Sequence, residues 1–167
     1  MFKLYPKHVI ANARTLAAAL VFHSYRLQTG GTDNHLILWD LCPIDLTGSK
    51  VKKVCDLMGI TINSTLTAQV SGGFRLGTSA LTSCNMKEEY IKVFAKFLHC
   101  PVQLLLLLQK EAGSKQDCVC VATVPQDSLK RYKQVTQLRE EVIMFASKWL
   151  LPGIDVVTLT RHERLHE

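Results

Sequence analysis

Three long segments of this chain repeat an apolar residue every third or fourth position, the spacing of helices, and shorter apolar segments lie between them. The first repeat is carried by Val9, Ala13, Leu16 and Leu20, with Pro6 suited to a first helical turn. The second runs through Tyr90, Phe94, Phe97, Leu98, Leu104, Leu105 and Leu108, and the third through Leu129, Tyr132, Val135, Leu138, Val142, Phe145 and Trp149. Such spacing puts the apolar residues on one face of a helix. A shorter helix is predicted where Thr47 or Ser49 can cap a turn that carries Val51, Val54, Cys55 and Met58 inward and closes at Gly59. The remaining apolar runs, at 35–41, 60–63 and 74–76, are bounded by Gly, Asn, Asp or Pro and read as strands. Pro101 falls inside the second long repeat. An interior proline removes a backbone donor at a cost of about 3 kcal/mol, so a kink or break is expected there. No internal repeat is visible. Short strands scattered among covering helices define an α+β layer architecture, predicted as one domain over residues 1–154 followed by a loosely held tail over 155–167.

With 167 residues, 47% of them hydrophobic, the chain can bury a core of its own, which excludes a disordered polypeptide. The formal net charge of +6 permits nucleic-acid or acidic-membrane binding, yet the cations are scattered and only Lys50, Lys52 and Lys53 cluster, as the wet face of a helix would. Neither nucleic acid nor a membrane is therefore expected as a partner. No secretory leader is visible at the N-terminus, and the run 102–108 falls far short of the about 20 apolar residues that cross a bilayer. A cytoplasmic location is expected, and with it six reduced cysteines rather than a disulfide framework.

Among the residues that could carry chemistry, Arg75 stands out. It lies in Gly72-Gly73-Phe74-Arg75-Leu76-Gly77-Thr78-Ser79-Ala80-Leu81-Thr82-Ser83. Flanking glycines let a backbone turn tightly and let a ligand come close, and a guanidinium offers the forked donor that matches a carboxylate. A solvated turn carrying an exposed arginine fits the same stretch. Upstream lies Thr29-Gly30-Gly31-Thr32-Asp33-Asn34-His35-Leu36-Ile37-Leu38-Trp39-Asp40-Leu41, followed by Leu46-Thr47-Gly48-Ser49-Lys50-Val51.

In this order and separation the two segments resemble the C-terminal part of serine hydroxymethyltransferase, most nearly its plant cytosolic form, and the likeness extends from about Tyr5 to Gly153. The resemblance implies the small C-terminal domain of a pyridoxal-phosphate transferase of fold type I. It also implies an activity that interconverts serine and glycine with tetrahydrofolate. Arg75 matches the family arginine that holds the carboxylate of the amino-acid substrate. The pyridoxal phosphate lysine, the acid facing the pyridine nitrogen and the phosphate cradle lie upstream of the matching region in relatives. No Thr-His-Lys segment occurs among these residues, so they are not expected to retain the cofactor or to turn over alone.

Two departures mark this sequence. Asn63 matches the first residue of an Asn-Lys-Asn segment, but Ser64 and Thr65 replace the rest, and the run reaches Gly72 a few residues early. The segment that contacts folate in relatives is shortened accordingly. Thr82-Ser83-Cys84-Asn85 stands where the family has Thr-Ser-Arg-Gly. Two further roles stay open: a non-catalytic fragment that associates with a full-length homologue, or a decayed gene product.

Other residues invite weaker readings. His162-Glu163-Arg164-Leu165-His166 has zinc-protease spacing but lies in the tail, where adventitious metal binding is the plainer expectation. Cys118 and Cys120 read as buried thiols rather than metal ligands. His35 reads as a structural histidine near a turn, the acid pairs Glu88-Glu89 and Glu140-Glu141 as solvated faces, and the leucine row 104–108 as core rather than a dimer seam.

Overall fold

A computed structural model of the chain describes residues 4–67, 70–111 and 133–149. Helix α1 spans Tyr5–Phe22, with Pro6 in its first turn, and buries Val9, Ala13, Leu16 and Leu20 as their spacing predicts. It ends at Phe22 because Ser24 takes a left-handed conformation (φ 63°), which turns the chain into a two-residue strand, β1, Arg26–Leu27. Strand β2, Leu36–Asp40, follows, then a short 3-10 turn at Cys42–Ile44 and helix α2, Gly48–Leu57. Thr47 occupies the capping position of α2, but its hydroxyl meets Ser49 Oγ at 3.2 Å instead of capping a backbone N–H. Gly59, at φ 77°, closes the helix as expected.

Two expectations about strands are corrected. Ile60 and Ile62 are buried yet not in a strand; the strand β3 covers Asn63–Thr67. Apolar content alone does not separate a buried strand from a buried connection. Strand β4, Val70–Gly77, is also longer than the run 74–76, and Gly72 and Gly73 lie within it rather than in a turn. Their role is close packing: a Cβ on Gly73 would stand 2.6 Å from the Trp39 carbonyl oxygen, and one on Gly72 2.6 Å from Cys42 Sγ.

The four strands form one antiparallel sheet in the order β1-β2-β4-β3. Because strand side chains alternate, Ile37 and Trp39 of β2 and Phe74 and Leu76 of β4 enter the core, while the cross-strand row Leu38, Arg75 and Asn63 occupies the other face. Trp39 is the centre of the packed side, with Tyr25 at 4.7 Å and Phe74 edge-on at 6.0 Å between ring centroids.

After a five-residue helix α3, Ser79–Ser83, comes α4, Glu88–Glu111. It runs through Pro101 as one helix, which corrects the expected break. Leu98, Pro101, Val102 and Leu105 are all buried, so burial on both sides of the proline offsets the lost backbone bond. Merging the two apolar stretches across Pro101 also makes Glu88–Lys110 long and apolar enough to cross a membrane, contrary to the shorter span read from the sequence. Ile91, Ala95, Leu98, Val102 and Leu105 on this helix belong to the same hydrophobic cluster as the α1 and sheet residues. Helix α5, Lys133–Ala146, buries Val135, Leu138 and Val142; Leu129 and Tyr132 lie outside the described residues.

Candidate functional site

Arg75 is exposed near the end of β4, between Leu38 of β2 and Asn63 of β3 in register. Its neighbours on the chain, Phe74 and Leu76, are buried, so the strand is anchored by its apolar face while the arginine stays outside. Among the described residues no side-chain hydrogen bond or ion pair engages Arg75: the ion pairs join Arg14 to Asp33, Arg26 to Asp40 and Lys52 to Asp56. A cavity of about 410 Å³ is lined by Arg75 of β4, by Ile60, Thr61, Ile62 and Asn63 around the start of β3, by Phe94 and Phe97 of α4, and by Val142 and Phe145 of α5. Among the described residues no acidic one lines it. Among the described lining residues, one cation and the polar side chains Thr61 and Asn63 stand with a mostly apolar set.

The segment that carries Arg75 is held by a second group of polar residues. Thr78 follows β4, donates its hydroxyl to the Val9 carbonyl at 2.9 Å and its N–H to the His35 carbonyl at 3.1 Å. Asn12, buried in the middle of α1, donates both amide hydrogens, to Thr82 Oγ1 and to the Met86 carbonyl, each at 2.9 Å. Thr82 in turn donates to the Thr78 carbonyl at 2.8 Å, and Tyr5 donates to the Ser79 carbonyl at 3.1 Å. Asn12 interrupts an apolar helix face, and that was the one signal in the sequence that could have revealed this latch. His35 takes part through its backbone carbonyl, and its side chain is exposed.

A third polar cluster lies at the far end of α1. His23 and His99 stack at 4.0 Å, and Tyr25 Oη meets His99 Nδ1 at 2.8 Å. Gln103 donates to Tyr25 Oη at 3.4 Å, which leaves the tyrosine proton for His99 Nδ1. Desolvation, then the neighbouring His23, push the His99 pKa below its usual value, and burial raises that of Tyr25. The four described cysteines 42, 55, 84 and 100 are free thiols, as expected; burial pushes Cys55 up to about 12. Cys118, Cys120 and the 162–166 histidine motif lie outside the described residues, and among those described no group of three or more metal-ligating side chains forms.

A small antiparallel sheet covered by helices, with an exposed arginine on one of its inner strands, defines an α+β unit. The sequence model of the serine hydroxymethyltransferase family matches residues 1–98. Similar proteins include "Serine hydroxymethyltransferase 6" of Arabidopsis thaliana, 37% identical over 160 residues, and "Serine hydroxymethyltransferase 5" of the same plant, 39% identical over 157. The cytosolic serine hydroxymethyltransferase of Oryctolagus cuniculus is 36% identical over 158 residues. These alignments take in 93%, 91% and 92% of this chain but 26%, 32% and 33% of the relatives, so the chain spans about a quarter to a third of their length. The chain belongs to the serine hydroxymethyltransferase family.

The family uses pyridoxal phosphate, and the described residues do not fit that group. A Schiff-base lysine must be desolvated so that it is a free amine near neutral pH. No described lysine is buried, and none lines the Arg75 cavity or a second hollow of about 330 Å³ between α4 and α5. The one buried acid, Asp40, is already engaged by the Cys42 N–H at 3.0 Å and by Arg26 at 3.7 Å.

Proposed function

We propose that this chain is the C-terminal, carboxylate-holding portion of a serine hydroxymethyltransferase of fold type I, forming a single domain over 1–154. Arg75 grips the carboxylate of serine or glycine through two parallel charge-assisted hydrogen bonds. The observation that carries this reading is an exposed arginine with no protein counter-ion among the described residues, on a strand anchored by Phe74 and Leu76. The 167-residue polypeptide, taken by itself, does not convert serine to glycine, because the groups that hold and activate pyridoxal phosphate belong to the rest of the family fold. With β3 beginning at Asn63 and the following segment shortened, tetrahydrofolate gains no grip from these residues.

A charge-assisted pair contributes on the order of 3 kcal/mol, and a Kd of about 1 mM corresponds to about 4 kcal/mol, so glycine binds weakly, with a Kd of about 6 mM. Amide NMR titration with glycine tests this. Shifts should concentrate at Asn63, Arg75 and Leu76 in the native chain and vanish in Arg75→Gln; shifts that persist in the variant refute the role of Arg75.

A further inference from the structure

We propose that the cavity beside Arg75 takes an amphipathic monocarboxylate with an aryl or branched-alkyl body, its acid end on the Arg75 guanidinium and its body in the hollow. This rests on the reading of Arg75 as a carboxylate grip and goes beyond serine and glycine. The first argument is size. A cavity of about 150 Å³ lined by apolar side chains holds a benzene, and this one measures about 410 Å³, room for a ring with several further carbons. The second is chemistry. Ile62, Phe94, Phe97 and Phe145 offer a small polar amino acid nothing to pair with, whereas Phe97 and Phe145, edge to face at 5.3 Å, present ring surface to an apolar body. The third is charge. Among the described residues Arg75 is the one charged member of the lining, and Thr61 and Asn63 add neutral hydrogen-bonding groups, so an anion is favoured over an amine of the same shape. A site with one polar edge and an apolar interior is the usual design of a small-molecule pocket.

The test titrates the whole chain with 4-phenylbutyrate, 4-phenylbutanol and glycine, followed by amide NMR, with circular dichroism as a check on folding. Two variants separate head from body: Arg75→Gln, and Ala146→Phe, which fills the hollow from an exposed position on α5. The expected result is saturable 4-phenylbutyrate binding at least tenfold tighter than glycine. Arg75→Gln should weaken it at least tenfold, to the level of 4-phenylbutanol, and Ala146→Phe should weaken it at least tenfold while leaving glycine alone. Glycine bound through Arg75 with 4-phenylbutyrate no tighter overturns this inference and spares the underlying reading. Neither anion sensing Arg75 overturns both. Sensitivity to Arg75→Gln with Ala146→Phe silent puts the ligand on the open sheet face and also overturns the inference.

Discussion

Two polar regions lie on either side of α3, and their bonding differs completely. In the seam between α1 and α3, Asn12, Thr78 and Thr82 are buried and each finds partners within 2.9 Å. At the cavity edge, Arg75 is exposed and among the described residues has no partner. A buried polar group whose bonds are all made inside the protein is part of the scaffold, since leaving it unpaired costs about 1–3 kcal/mol. Arg75, on a strand anchored by Phe74 and Leu76, stands outside that network. The contrast predicts opposite responses to substitution: changes in the seam should lower stability, and a change at Arg75 should leave it nearly unaltered.

The largest expected effect is on the scaffold beneath Arg75. Gly73→Ala places a methyl 2.6 Å from the Trp39 carbonyl, where backbone must shift, and should cost about 3 kcal/mol in urea unfolding. Gly72→Ala meets the exposed Cys42 side chain, which can swing away, and should cost clearly less. If the two glycines prove equal, close strand packing is not what they supply.

Next comes the seam itself. Asn12→Ala strands Thr82 and the Met86 carbonyl and should destabilise by about 2 kcal/mol in the same measurement. A neutral Asn12→Ala would erase the distinction between the two regions.

A smaller effect follows pH. The folded pKa of His99 lies below its unfolded value near 6.5, so folding favours the neutral ring. Its stabilising contribution is complete above about pH 6.5 and is lost as pH falls through the lowered folded value. Unfolding midpoints taken between pH 7 and pH 5 should decline, and His99→Gln should flatten that decline. Cys55 acts at the other end: its thiol is favoured in the fold, so stability drops as pH rises above its ordinary value of 9.0. The smallest effect belongs to Arg75→Gln, which should change stability by less than about 0.5 kcal/mol, as exposed substitutions do.

The helices were legible in the sequence because each carries an apolar stripe long enough to fix its period, and the registers of Val9, Ala13, Leu16 and Leu20 and of Val135, Leu138 and Val142 match the buried faces. The strands were less so. Ile60 and Ile62 look like strand residues and are buried as a connection, whereas β3 is built from Asn63 to Thr67, whose sequence lacks an alternating apolar pattern. The two-residue β1 leaves no periodic signal, since it is defined only by its pairing with β2, Arg26 opposite Asp40 and Leu27 opposite Trp39. Of the site, Arg75 was legible because its residue type and glycine context are local. The cavity was not, since Phe94, Phe97 and Phe145 read as ordinary core and only the packing of α4 against α5 makes them a wall.

On the proposed reading, these residues keep a grip for an amino acid's carboxylate, and the amine that captures the cofactor belongs to the rest of the family fold. The most direct measurement treats the purified chain with pyridoxal phosphate and borohydride, maps the modified lysines by mass spectrometry, and assays glycine formed from serine and tetrahydrofolate in parallel. The account predicts scattered substoichiometric labelling of exposed lysines and no glycine. One lysine labelled to completion, together with glycine release, would contradict it.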